Sequence, residues 1–529
     1  RYPIIFQKYI ESKSNSQDWA VQSRNMFPPR VKDLNSRINL LHLYGWEESE
    51  FPSTWVDEFN TYLQGLTVMS SQVKKILMDN GVYIPIKISN LGLDHIDEIE
   101  VDSNFHIPGK KFKFLHISSC FPRKGIDILL KSFFNTFTGD DQVSLIIKTF
   151  DNPHNNIEEQ IKELSLLHHS TPNVIIIKDE LNEIQLKSLI LSSDVLVAPS
   201  RGEGFGLPIG EAMRLGIPVI TTAWGGQRDF CNSQNCWLLD YQFVKANSHF
   251  DLDLSYWAEP SSTHLCELLR MFYDCKLDDI HKKISRAKEQ TENLKWDIAA
   301  IQNKTFVDKE LTFYKNKFIK VGVVSTWFSR CGIACYTKHL VDNLVENIHI
   351  FSPLYEEKQN HNRYSIIPSW SASDTSKDLN FLYEKILSCN ITSLIIQFNY
   401  GFFEFNQLSE LIIKLKSNNI SVIIIIHSCR DAEADQKNQF HLLYDAFKLC
   451  DRLLVHSIDD LNRLKEVSLI DNVCLIPHGI LDFKYKKRLY FLQNIFSSIN
   501  KKVIATYGFC LPNKGFKELI QAIQDMQEM

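Results

Sequence analysis

Short apolar runs alternate with amphipathic helical patterns along nearly the whole chain. Phe112–Ile117, Val143–Lys148, Val174–Ile177, Val195–Ala198 and Val219–Thr221 read as strands, each followed by apolar positions at helical spacing. This alternation predicts parallel sheets whose strands are joined by crossover helices, an α/β architecture. Val422–Ile426 is beta-branched without polar interruption, which suits a strand buried on both faces. The same pattern repeats at long range. FLHISSCFPRKGIDILLKSF from Phe114 and IATYGFCLPNKGFKELIQAI from Ile504 share Cys, Pro, Lys and Gly in register at an offset of 390 (514 − 124). Upstream, Ser70, Leu77 and Gly92 correspond to Ser457, Leu464 and Gly479 at an offset of 387 (457 − 70).

A period this long is too great for a solenoid repeat and matches the length of a two-domain enzyme. It predicts two copies in tandem, the first without its start and the second without its end. The expected segments are 1–95, the tail of a first N-terminal domain, and 96–300, a first C-terminal domain. A return segment and linker at 301–316, a second N-terminal domain at 317–485 and the opening of a second C-terminal domain at 486–529 follow.

Composition narrows the partners. The chain has 529 residues, 44% hydrophobic and 23% charged, with net charge −5, so there is no basic footprint for nucleic acid. The 12 cysteines show no zinc-ligand spacing and indicate a reducing, cytoplasmic setting. Lys484-Tyr485-Lys486-Lys487-Arg488 reads as a solvated linker, with peripheral contact to an inner-membrane face as its alternative. Asp251 and Asp253 form a DxD, but without a strand-end context they read as structural and no metal is expected.

The strongest chemistry lies in SSDVLVAPSRGEGFGLPIGEAMRLGIPVITT. A buried strand enters a glycine-rich turn, and a helix begins near Pro208, where a missing N–H costs nothing. Gly204 and Gly206 allow backbone amides to approach an anion at the positive end of that helix. Glu203 sits in the loop, and Glu211, in the first helical turn, is placed to accept hydrogen bonds from a vicinal diol. Upstream, Arg123 and Lys124 precede Gly125 and an amphipathic helix; two cations there suit a diphosphate leaving group. Taken singly, a loop acid, a helix-dipole acid and a basic turn are each ordinary; together they favour a binding cleft at the end of a sheet.

EGFGLPIGE, SSDVLVAPS and PRKG together resemble the family-four glycosyltransferases of the GT-B fold, two Rossmann-like domains facing a cleft. The resemblance implies that Glu211 holds the nucleotide ribose, that Glu203 lies by the donor sugar, and that the backbone of Phe205, Gly206 and Leu207 lines sugar and diphosphate. The family often carries another Arg before this Lys, where Ser118 stands here. VGVVSTWFSRCGIACYTKHLVDNL resembles the opening of the same fold, with Gly332 near the donor phosphates. His427, at the end of Val422–Ile426, takes the place of a histidine that reaches the donor sugar, against a purely structural alternative. In LLHLYGWEES of the first copy, His42 is two positions out of register. Lys514 would be the second diphosphate lysine, beside Asn513 in place of Arg.

TAWGGQRDFCN, YWAEP, Trp296, WEESEFPSTWVDEFN and QFNYGFFEF resemble a subset that includes bacterial O-antigen mannosyltransferases. That implies a nucleotide-sugar donor such as GDP-mannose, used as substrate without a cofactor, and a carbohydrate or lipid-linked oligosaccharide acceptor. Retention is the implied stereochemistry and surface polysaccharide the implied product. The alternatives are a GT-B nucleotide-sugar epimerase, a sugar phosphorylase, and a tandem whose second copy only grips polymer.

Overall fold

The computed structural model describes residues 21–250, 252–275, 280–311, 319–344, 348–354, 364–371, 378–431, 438–480 and 515–528. They fall into two units, Arg1–Pro477 and His478–Met529. In the second, Gly515 takes φ +69° and the helix Phe516–Glu528 follows.

The larger unit holds three parallel sheets. The first runs β1 (Val21–Arg24), β2 (Ile38–Tyr44), β3 (Gly65–Val68) and β4 (Ile86–Ile88) in spatial order. The second contains β5 (Phe112–Ile117), β6 (Val143–Lys148), β7 (Asn173–Ile177), β8 (Val195–Ala198), β9 (Val219–Thr222) and β10 (Trp237–Leu239), ordered β10-β9-β8-β5-β6-β7. An antiparallel pair follows, β11 (Tyr241–Lys245) with β12 (Tyr256–Pro260). The third sheet comprises β13 (Val321–Val324), β14 (Ile348–Pro353), β15 (Ser365–Trp370), β16 (Ser393–Phe398), β17 (Ser421–Ile426), β18 (Arg452–Val455) and β19 (Val473–Leu475). Its order is β15-β14-β13-β16-β17-β18-β19. Each strand read from the apolar pattern is present, within two residues of the expected bounds, because β-branched runs buried on both faces leave few other registers.

Helices cover the faces as their periodicity demands. The helix Ile126–Thr136 buries Ile126, Leu129, Leu130 and Phe133 to 2% exposure or less. Burial of side chains of this size stabilises the fold by about 1.5–3 kcal/mol each. In the second sheet the strand order reverses between β5 and β8, and in the third between β13 and β16. Ligands of open α/β sheets bind at the carboxyl ends of strands at such switch points.

The chain passes from the first sheet to the second and returns at the helix Trp296–Thr305, which packs against β3 through Thr67 and Asn303. Two Rossmann-like layers thus face one another, the pairing that defines the GT-B fold. The third sheet docks across both. Asn462, on the helix Ile458–Glu466, accepts from the Phe243 N–H at 2.7 Å and donates to the Phe243 carbonyl at 3.0 Å. Arg452 Nε donates to Asp79 Oδ1 at 2.6 Å, and Arg228 pairs with Asp471 at 2.7 Å. Trp224, Tyr241, Phe243 and Ala258 share one buried apolar cluster with Leu461, Leu464 and Val473.

Candidate functional site

The loops after β5 and β8 meet at the switch point. Pro122–Lys124 forms a single 3-10 turn that ends on Gly125, whose φ of +66° lies in the left-handed region. A side chain there is excluded twice, since a Cβ would come within 2.0 Å of the Pro199 carbonyl oxygen after β8. Arg201, between that strand and the glycine turn, fastens the two loops. Its N–H donates to the Arg123 carbonyl at 2.7 Å, and its guanidinium binds Asp127 through Nη1 and Nη2 and Glu259 through Nε and Nη2, with Nη1 also donating to the Pro122 carbonyl. Burial alone would lower its pKa; Glu259 and then Asp127 reverse this and hold the guanidinium charged. Arg201 was not among the residues singled out from the sequence. The acid of YWAEP, on β12, was its one visible sign.

Lys124 and Glu203 come together. Lys124 Nζ donates to Glu203 Oε1 at 2.6 Å, and Ser200 Oγ donates to the same oxygen at 2.7 Å. Burial pushes the Glu203 carboxyl up, but Lys124 and Arg123 outweigh it and hold Glu203 below its ordinary value. For Lys124 burial prevails, and its ammonium sits below its ordinary value despite Glu203. Arg123 Nη2 reaches Glu47 Oε1 at 3.2 Å, while its buried Nη1 has no hydrogen-bond partner among the described residues.

The glycine turn leads into the helix Leu207–Leu215, with Gly206 as N-cap at φ +90° and Pro208 in the first turn. No side chain caps this helix, and the N–H groups of Phe205, Gly206 and Leu207 have no hydrogen-bond partner among the described residues. The Phe205 ring is turned inward against Phe230, leaving its backbone toward the turn. The fit is close: a Cβ on Gly226 would lie 2.0 Å from the Gly204 carbonyl oxygen, and one on Gly202 would lie 2.7 Å from that of Glu47. Glu211 falls at the fifth helical position, past the first turn expected from the sequence, because the helix begins at Leu207. Its Oε1 lies 3.1 Å from His95 Nε2.

From the first sheet, the loop after β2 supplies Glu47 and Glu48. Glu48 is buried, accepts from Ser255 Oγ at 2.9 Å, and is raised above the usual carboxylate value by that burial. A cavity of about 320 Å³ lies beside Arg123 and Glu47, walled by Phe27, Phe121, His249 and Phe250. His42 is elsewhere, bonded to Ser23 and facing the return helix. Glu47 lies in the WEES motif, but its pairing with an arginine so distant in sequence had no local signal.

In the third sheet, Gly332 opens the helix Gly332–Asp342 after β13. An added Cβ would meet no atom within 4 Å, so the protein itself does not require glycine there. His427, past the end of β17, places Nε2 2.7 Å from Gln397 Oε1 at the end of β16, edge-on to Tyr336. Gly332 and His427 thus share the carboxyl edge of the third sheet and stand apart from Glu203 and Glu211 on the second. Lys514 lies outside the described residues.

Residues 97–242, which carry both loops, match the family model "Glycosyl transferases group 1". This segment is a group 1 glycosyl transferase domain. The chain is 28% identical over 148 residues to an O-antigen biosynthesis glycosyltransferase of Escherichia coli, covering 26% of this chain and 39% of that protein. It is 29% identical over 164 residues to an MMP alpha-(1->4)-mannosyltransferase of Mycolicibacterium hassiacum, covering 30% of this chain and 37% of that protein. The chain therefore spans less than half the length of these relatives. A solved glycosyltransferase from Rickettsia africae aligns at 17% identity with TM-score 0.44, covering 59% of this chain and 80% of that one. The glycosyl transferase domain contains Arg123, Lys124, Glu203 and Glu211, whereas Glu47 reaches it from the first sheet.

Proposed function

We propose that the chain transfers a hexose from a nucleotide-sugar donor to a carbohydrate acceptor at the β5/β8 switch point. The observation that carries this reading is the convergence there of Arg123 and Lys124, the unpaired N–H groups of Phe205, Gly206 and Leu207, and the two carboxylates Glu203 and Glu211. The cations and N–H groups suit a diphosphate, whose charge grows as the glycosidic bond to the sugar breaks. A donor diphosphate would draw Lys124 from Glu203, leaving Glu203 to accept from sugar hydroxyls. Glu211 would accept from the ribose diol. The cavity beside Arg123, with its aromatic walls, offers room for the acceptor.

The names of the relatives support a narrower form: mannose from GDP-mannose, transferred with retention, into surface polysaccharide or a lipid-linked oligosaccharide. The donor is a substrate in this reading, and no metal or further cofactor is invoked. Peripheral attachment at the inner-membrane face is part of the same proposal. The reading extends to a tandem of two such units, with Gly332, His427 and Lys514 serving the second. Its support is the spacing of elements: β3, the helix Ser71–Asp79 and β4 recur as β18, the helix Ile458–Glu466 and β19, each 387 residues on (452 − 65).

The test is to incubate the protein with GDP-, UDP- and ADP-sugars and measure nucleoside diphosphate release with and without saccharide acceptors. Acceptor-dependent release from one donor is expected. Failure to bind any nucleotide would overturn the reading, and an epimer formed without acceptor would replace transfer by epimerisation.

A further inference from the structure

Glu211 reaches the site from a helix, but the group that fixes its carboxylate comes from the crossing between the first two sheets. The chain leaves the first sheet through Gly92-Leu93-Asp94-His95 and returns through Leu294-Lys295-Trp296. The two passages are bonded to each other. The Leu93 N–H donates to the Leu294 carbonyl at 2.8 Å, and the Trp296 N–H donates to Asp94 Oδ1 at 2.9 Å. Gly92 lies against Trp296 so closely that a Cβ would come within 2.3 Å of its nitrogen.

From this crossing His95 extends its ring so that Nε2 lies 3.1 Å from Glu211 Oε1, while Trp296 Nε1 lies 3.2 Å from His95 Nδ1. An indole N–H can only donate. Nδ1 therefore accepts, and the neutral imidazole carries its proton on Nε2, where it is given to Glu211. The Glu211 carboxylate has no other hydrogen-bond partner among the described residues.

We propose that His95 is a positioning residue for nucleotide recognition: held in its Nε2–H tautomer by Trp296, it engages Oε1 of Glu211 and leaves Oε2 to accept from the vicinal diol of a ribose. The proposal rests on the reading of Glu211 as the ribose acceptor and adds what orients it. It also ties ribose recognition to the angle between the first two sheets, because donor and tautomer lock both sit on the crossing.

The readout is the preference for a ribonucleotide over its 2′-deoxy counterpart, measured by calorimetry with GDP against 2′-deoxy-GDP and UDP against 2′-deoxy-UDP. Removing one donor to a carboxylate should reduce the preference in His95→Leu roughly tenfold, the scale of one charge-assisted hydrogen bond. His95→Gln, whose amide nitrogen falls near the place of imidazole Nε2, should restore most of it. Trp296→Phe keeps a ring over Gly92 but releases the tautomer, and should fall between the two. General loosening of the crossing would instead weaken both nucleotides equally, leave the ratio unchanged and overturn the proposal. Should His95→Leu fail to fold, a Trp296→Phe ratio below that of the unaltered protein supports the proposal, and an unchanged ratio overturns it. A preference abolished in Glu211→Ala but intact in His95→Leu defeats the role of His95 alone. No preference in the unaltered protein, or one that survives Glu211→Ala, defeats the reading of Glu211 itself and the proposal with it.

Discussion

The first sheet and the β16–β19 half of the third both run four parallel strands in chain order, and from β3 and β18 onward their elements recur at one interval of 387 residues (452 − 65). The Ser71–Asp79 and Ile458–Glu466 helices occupy corresponding positions, each capped by the preceding serine: Ser70 Oγ accepts from the Val73 N–H at 3.2 Å, Ser457 Oγ from the Asp460 N–H at 3.1 Å. Leu77 and Leu464 are buried at matching turns. The two sheets part company at their carboxyl edges. After β2 the chain turns through Gly45 and Trp46 to Glu47, which is bonded to Arg123 of the glycosyl transferase domain. After β17 it presents His427, bonded to Gln397 within its own sheet. Strand spacing, set by burial on both faces, tolerates little change, while the strand ends vary and carry the chemistry. In the proposed reading, nucleotide binding by the described residues belongs to the first cleft.

Substitutions at the Lys124–Glu203 pair should break that assignment most directly. Lys124→Met leaves a buried carboxylate without its cation, and loss of one member of such a pair costs about 3–5 kcal/mol. Urea unfolding at neutral pH should show a loss approaching that range, with Ser200 still donating to Glu203. Adding Glu203→Gln should recover most of the stability without recovering nucleotide affinity. A loss below about 1 kcal/mol would show the pair to be solvated and would remove its electrostatic role.

Acid should expose a second asymmetry. His116 is 1% exposed, and burial lowers its pKa from 6.5 to about 4. Its Nδ1–H donates to the Val197 carbonyl at 2.8 Å. As pH falls below 6.5 the unfolded chain takes up a proton that the folded one refuses until about 4. Stability should therefore decline across that window, by up to about 3 kcal/mol, and decline no further from this source below it. His116→Asn keeps a donor to Val197 without the titration and should flatten the profile between those values; an unchanged slope would place the acid sensitivity elsewhere.

Nucleotide affinity sharpens the comparison further. Glu211→Ala should weaken a nucleoside diphosphate by about 1.5–3 kcal/mol, as for a lost charge-assisted hydrogen bond. Glu203→Ala should chiefly lower kcat. His427→Ala should leave affinity at the first cleft within about 0.5 kcal/mol, and a loss equal to that of Glu211→Ala would erase the distinction between the two edges. The smallest loss of stability belongs to the docking contact. Asn462→Leu removes two neutral hydrogen bonds and should cost about 1–2 kcal/mol, measured as earlier unfolding with nucleotide binding retained.

Much of this was legible along the chain. Strands β5, β6, β8 and β17, the glycine turn and the buried face of the Ile126 helix all follow from local pattern, because burial and backbone conformation write themselves into neighbouring residues. Arg123, Lys124, Glu203 and Glu211 could be named from residue type and spacing. What stayed hidden was who meets whom. Arg201 with Glu259, Glu47 with Arg123 and His95 with Glu211 join residues far apart in sequence, and each partner alone is an ordinary surface charge or loop residue. His42, the histidine nearest to the expected strand end, proved to face the return helix because β2 runs on to Tyr44.

The Asn462 amide, finally, does for β11 what a neighbouring strand would do. Among the described residues β11 is paired only with β12, and its far edge meets an N–H acceptor and a carbonyl donor from one side chain at Phe243. An open edge beside Trp224, Tyr241 and Phe243 is a template for joining another chain. During synthesis this edge emerges well before residue 462, so the nascent chain passes through an interval in which its cover does not yet exist. A shortened protein ending near residue 311 would remain in that interval permanently and should self-associate, and a charged residue at Val244 would be the first change to try in keeping it soluble.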